Sequence, residues 1–168
     1  MLYIFNNGPM PTTGPVAKVS TGTSTKTMLQ IKPLVPMRIV EWGASYDGSS
    51  AATPGTVELI DTGTIFATVT AFVTADIGRY DGEAQQFGDP TSNYVSVGTA
   101  ASGYTATAEG SITSTTYLGG AQLIAPTNQF LQQFPLGYRP YIKANDCCRI
   151  RMTFATAINA LCYVICEF

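Results

Sequence analysis

An all-β fold follows from three observations. Period-two alternation recurs from end to end, no window sustains the spacing of three and four that a substantial helix needs, and turn chemistry interrupts the chain at short intervals. A length of 168 residues suits one domain, which at that size buries roughly two-thirds of its unfolded surface without disulfides. About ten short strands in such a domain are the spacing of an antiparallel sandwich or barrel.

The chain opens on an apolar strand, Leu2 to Phe5, followed from Asn6 to Thr25 by a stretch rich in Pro, Gly, Ser and Thr. That composition makes residues 1–15 an extended N-terminal arm and 16–168 the sandwich domain. Leu2, Tyr3, Ile4 and Phe5 are then an apolar tip that docks on a neighbour. Lys26 to Ile31 is the first strand of the body. Arg38 to Tyr46 alternates with Val40, Trp42, Ala44 and Tyr46 on one face and Ile39, Glu41, Gly43 and Ser45 on the other, which puts Trp42 in the core.

Thr56 to Ile60 and Ile65 to Val73 come next, set off by Asp47-Gly48, Thr53-Pro54-Gly55 and Asp61-Thr62-Gly63. From Ala75 to Gly103 the pattern lapses into a long loop with Asp76, Asp81, Glu83 and Asp89 and room for a helical turn at Asp81 to Gln86. Tyr104 to Ala108, Ser111 to Leu118 and Phe130 to Phe134 resume the strands. Arg149 to Phe154 points Ile150, Met152 and Phe154 inward and Arg149, Arg151 and Thr153 to water. In Ala160 to Phe168 both faces are apolar, Cys162, Val164 and Cys166 against Leu161, Tyr163 and Ile165, so both are covered.

Charge and chemistry exclude most functional classes. Only 12% of residues are charged, about half the usual share, which in a β protein favours an assembled state over a free monomer. The net charge of −2 and scattered Lys and Arg leave no basic patch for nucleic acid. No run is apolar enough to span a bilayer, and Met1 to Asn7 is no export signal, so no membrane role is expected.

His is absent, which removes Ser-His and Cys-His nucleophile pairs. Lys18, Lys26, Lys32 and Lys143 carry no accompanying signature for Ser-Lys chemistry. Glu41, Glu58, Asp61 and Glu109 offer carboxylates for glycoside hydrolysis, but a lone Trp gives sugar cleavage little aromatic platform, and a solvated face accounts for them. The acids of the long loop suit calcium chemically, yet they match no calcium-loop spacing and read as turns. Gly119-Gly120 lacks the Lys-Ser or Lys-Thr of a phosphate loop.

Cys147, Cys148, Cys162 and Cys166 read as buried reduced thiols. Adjacent Cα atoms about 3.8 Å apart strain a bridge, and residues four apart on a strand stand about 13 Å apart. The expectation is no catalytic site, no cofactor and no metal. What remains is an aromatic set with interface character, Tyr117, Phe130, Phe134, Tyr138, Tyr141 and Tyr163. Tyr138 and Tyr141 join Leu2 to Phe5 as candidate partner-binding residues.

Several segments resemble small jelly-roll decoration, cement or minor capsid proteins of tailed bacteriophages: Arg38-Ile39-Val40-Glu41-Trp42-Gly43, Thr53-Pro54-Gly55-Thr56-Val57-Glu58-Leu59-Ile60, Gly103-Tyr104-Thr105-Ala106-Thr107-Ala108-Glu109-Gly110, Phe134-Pro135-Leu136-Gly137 and Asn159-Ala160-Leu161-Cys162-Tyr163-Val164-Ile165-Cys166-Glu167. None is a catalytic signature. The resemblance implies a jelly-roll sandwich of about 8–10 strands that forms a homotrimer. It also implies a virion protein, made in the host cytoplasm and placed on the outer capsid surface. There it would bind the major capsid protein and bridge neighbouring shell subunits. The alternative is a carbohydrate- or receptor-binding jelly-roll module of a phage tail or fibre.

Overall fold

The computed structural model describes residues 1–11, 13–80 and 91–168. Thirteen strands are described: β1 Leu2–Asn6, β2 Val19–Ser20, β3 Lys26–Ile31, β4 Met37–Tyr46, β5 Gly55–Asp61, β6 Thr68–Ala71, β7 Gly78–Arg79, β8 Gly103–Ala108, β9 Thr116–Ile124, β10 Gln129–Gln133, β11 Tyr141–Ile142, β12 Cys148–Thr153 and β13 Asn159–Glu167. One sheet runs β10-β4-β13-β1-β7, with β11 beside β4 and β2 beside β13; the other runs β6-β8-β3-β12-β5-β9. Every pairing is antiparallel.

Eight of these strands make a jelly roll. The chain-order pairs β1 with β13, β3 with β12, β4 with β10 and β5 with β9 are what a single long hairpin gives when it is wound on itself. Winding distributes the eight into β10-β4-β13-β1 and β3-β12-β5-β9. The remaining strands are additions at the edges, of which β6 and β8 belong to the long insertion between β5 and β9.

Between the sheets lies one apolar core that includes Tyr3, Phe5, Met28, Ile39, Trp42, Leu59, Phe72, Ile150, Met152 and Phe154. The alternation that placed Trp42 inside holds, but with one slip. Ile165 faces Glu41 while Cys166 faces Ile39, so Val40 is an extra residue in a β-bulge. The bulge sends Ile39 inward beside Trp42, both fully buried, and leaves Val40 half-buried.

The N-terminal arm is a correction. Leu2–Asn6 is β1, hydrogen-bonded between β13 and β7, with Tyr3 and Phe5 fully buried in the core. Asn7 prolongs the ladder with its side chain, donating to the Ala160 carbonyl at 3.1 Å and accepting from the Cys162 N–H at 2.9 Å. Residues 1–7 therefore belong to the sandwich. Their Pro- and Gly-rich sequel connects β1 to β2.

Arg149 is a second correction. Expected to face water, it is fully buried, because the insertion between β5 and β9 covers the outer face of the second sheet there. Strand Ser111 to Leu118 is moved to Thr116–Ile124. Gly119-Gly120 is a register irregularity within β9 rather than its end, with Gly120 at φ 75°. The loop from Ala75 to Gly103 holds β7, a short helix Thr91–Tyr94 and a bridge between Pro33 and Val95. The turn expected at Asp81 to Gln86 lies outside the described residues.

Candidate binding surface

Of the six candidate partner-binding residues, two stand on the surface as anchors would. Tyr3 and Phe5 are core, and Leu2 and Ile4, on the other side of β1, are half-buried. Tyr138 is 82% exposed and Tyr141 about half exposed, with the Arg38 guanidinium 5.5 Å from the Tyr141 ring centroid.

Tyr138 owes its position to a tight turn. Its N–H donates to the Pro135 carbonyl at 2.9 Å, and Gly137 sits at φ 91°, the sign that the third position of a type II turn requires. The turn holds Leu136 and Tyr138, each 82% exposed, out from the body. Tyr117 and Leu123 on β9 and Leu131 on β10 are also exposed, so among the described residues most of the large apolar side chains in water lie between 117 and 141.

The two strands that carry them are sheet ends. β9 closes one sheet and β10 the other, and among the described residues each is paired on one side only. From Gly110 to Tyr138 the sequence contains no Asp, Glu, Lys or Arg. Edge strands in free proteins are commonly blunted by charge, and these are not. That uncharged run is the signal the sequence offered for this surface, more direct than the aromatic set.

Beside β10, the outer face of its sheet carries a groove of about 320 Å³ lined by Leu131, Leu161, Tyr163, Gln129, Ser45 and Asn6 among others. Its geometry comes from register: Leu131 faces Gly43, Gly43 faces Tyr163, and Tyr163 faces Asn6 across four adjacent strands. The Tyr163 ring lies against Gly43, and its hydroxyl donates to Glu41 Oε1 at 2.5 Å. Burial, and then the Glu41 carboxylate, push the Tyr163 phenol well above its ordinary range. Gln133 Nε2 donates to the other Glu41 oxygen at 3.3 Å.

The other carboxylates considered for glycoside chemistry are tied to the fold. Glu58 pairs with Arg151 on the neighbouring strand. Glu109 accepts from the Thr27 N–H and hydroxyl, at 2.5 and 2.6 Å, and faces Arg149. Asp61 accepts from the Gly63 N–H at 2.8 Å, and burial raises its pKa. Asp76 caps the Val73 N–H at 3.0 Å; Asp81, Glu83 and Asp89 lie outside the described residues. Of the lysines, Lys18 pairs with Asp47 at 2.6 Å, and Lys26 donates to the Ser20 carbonyl at 3.0 Å.

All four cysteines are free and buried. Burial raises every one of the thiols, that of Cys147 to about 11 despite the nearby Arg149. Comparison of the chain with family models, with curated proteins and with solved structures returns no match.

Proposed function

We propose that this chain is a structural subunit of a larger assembly, and specifically a capsid decoration protein that binds the major capsid protein on the outer shell and bridges its subunits. The observation that carries the reading is the uncharged segment Gly110 to Tyr138, which supplies one end strand of each sheet and, among the described residues, the most exposed large apolar side chains. Water-exposed Leu and Tyr on a rigid turn gain free energy only when something covers them. The resemblance of the strand segments to phage decoration proteins points the assembly at a virus head.

Saturable binding of the purified chain to expanded, undecorated phage heads, seen by electron microscopy, is the test. Occupancy of fixed lattice positions is expected. Binding to cells or glycans without any binding to heads would replace this reading with the second one, a carbohydrate- or receptor-binding module. That second reading is favoured by the Tyr163 ring with Glu41 and Gln133 beside it, since an aromatic ring, an acid and amides suit hydroxyl-rich ligands.

A further inference from the structure

Asn7 is fully buried and tied to β13 at three points. Its N–H donates to the Cys162 carbonyl at 3.1 Å, its Nδ2 donates to the Ala160 carbonyl at 3.1 Å, and its Oδ1 accepts from the Cys162 N–H at 2.9 Å. Gly8 follows, which makes the only Asn-Gly pair in the chain. Such a pair is chemically labile, because a residue without a Cβ lets its main-chain nitrogen approach the preceding side-chain amide. We infer that Asn7 is a site of spontaneous deamidation shielded by the fold, modified only in chains whose β1 has come away from β13 and barring those chains from closing again. The inference goes beyond the assembly reading and stands without it.

The reaction consumes only water. The Gly8 nitrogen gives up its proton and bonds to Asn7 Cγ, while the Cγ–Nδ2 bond breaks and ammonia leaves with that proton. Water then adds to either carbonyl of the cyclic imide and opens it. One opening yields aspartate, and the other yields isoaspartate, with the peptide bond routed through the former side chain.

In the folded chain Cγ is not free to turn toward Gly8. Its oxygen and its nitrogen both rest on β13, and rotating the amide breaks two buried hydrogen bonds at once. Opening of β1 releases it, so the rate follows the population of opened chains. Neither product fits the site it came from. A carboxylate at position 7 sets an oxygen against the Ala160 carbonyl where a donor had been, in a place closed to water. Isoaspartate also lengthens the main chain by one carbon between β1 and its connector.

The test is peptide mapping by mass spectrometry on the full chain, kept for days in mildly alkaline buffer with or without guanidinium chloride. Fragmentation of the tryptic peptide Met1 to Lys18 separates Asn7 from Asn6. Conversion at Asn7 is expected in denaturant, and about 100-fold or more slowly in native buffer, as for a segment exposed only on opening of a stable fold. Dilution of the denatured samples then gives the refolding yield, which should fall in step with the conversion.

Gly8→Ala isolates the chemistry from the fold. A Cβ at Gly8 would stand 3.6 Å from the Ala17 carbonyl oxygen and from Val16 Cγ1, an ordinary contact, and the φ of Gly8 lies outside the left-handed region, so the variant should fold. In denaturant it should lose most of the conversion at Asn7, and after equal storage it should refold in full. Equal conversion with and without denaturant would show that β13 does not shield Asn7. Absence of conversion in denaturant, or modified chains that refold as well as intact ones, would equally overturn the inference.

Discussion

Arg149 reaches out of β12 and holds Glu109, its Nη1 3.6 Å from Glu109 Oε2 and 3.0 Å from the Glu109 carbonyl, while Nη2 donates to the Ile65 carbonyl. One buried guanidinium thus ties both ends of the insertion between β5 and β9 to the outer face of the second sheet. Gln30 reinforces the tie, donating to the Ala67 and Ala101 carbonyls and accepting from the Ala67 N–H.

Removing the carboxylate strands that charge. Glu109→Ala leaves Arg149 buried without its counter-ion and Thr27 without its acceptor, and should cost about 3 kcal/mol, the lower end of what breaking a buried pair costs because Glu109 is partly exposed. Urea denaturation reads it as a lower midpoint at constant slope. Lys18→Ala, which breaks an exposed pair with Asp47, should leave the midpoint nearly unchanged. Equal losses in the two variants would mean that the insertion is not anchored through Arg149.

β1 should prove indispensable to folding. Phe5 is fully buried with its ring 5.8 Å from that of Phe72, so Phe5→Ala should cost about 3–5 kcal/mol. Deleting residues 1–7 removes a strand from between β13 and β7 and should abolish the cooperative thermal transition. A truncated chain that melts like the intact one would restore the detachable arm.

The sequence made the sandwich legible because half-buried strands alternate, and Lys26–Ile31 emerges with its limits correct. It misled where another element changes what a strand faces. Arg149 looks solvated by alternation alone, since nothing local announces that residues far along the chain fold over it. Leu2 to Phe5 looks detached because a Pro- and Gly-rich connector follows, yet its partners are at the opposite terminus, beyond the reach of any local pattern. Val40 slipped because a bulge adds one residue without leaving a mark in composition. The candidate surface is half legible: the aromatic pattern marks Tyr138 but not Leu136, Leu131 and Leu123, although the missing charges from Gly110 to Tyr138 mark the whole run.

Gly43 is a packing requirement of the groove. A Cβ there would stand 2.8 Å from the Phe130 carbonyl oxygen and 2.9 Å from the Tyr163 ring, so Gly43→Ala must displace the ring or the β10 backbone. A loss of about 1–3 kcal/mol is expected, as for overpacking. Because the ring is one of two obstacles, Tyr163→Ala combined with Gly43→Ala should lose less than the sum of the single changes. Strict additivity in the double-mutant cycle would show that the ring does not rest on Gly43.

Alkaline pH should unfold the protein through its thiols. In the unfolded chain a Cys ionises near 9.0, whereas burial holds Cys147 neutral to about 11 and raises Cys148, Cys162 and Cys166 as well. The folded state therefore keeps protons that the unfolded state releases. Stability from these groups is complete below pH 9 and is lost as pH rises from 9 through 11 and beyond. The melting temperature should be flat around neutrality and fall steadily above pH 9. At pH 8 iodoacetamide should leave the native chain unlabelled and alkylate all four thiols once urea unfolds it. A melting temperature that climbs above pH 9, or rapid native labelling, would place these thiols at the surface.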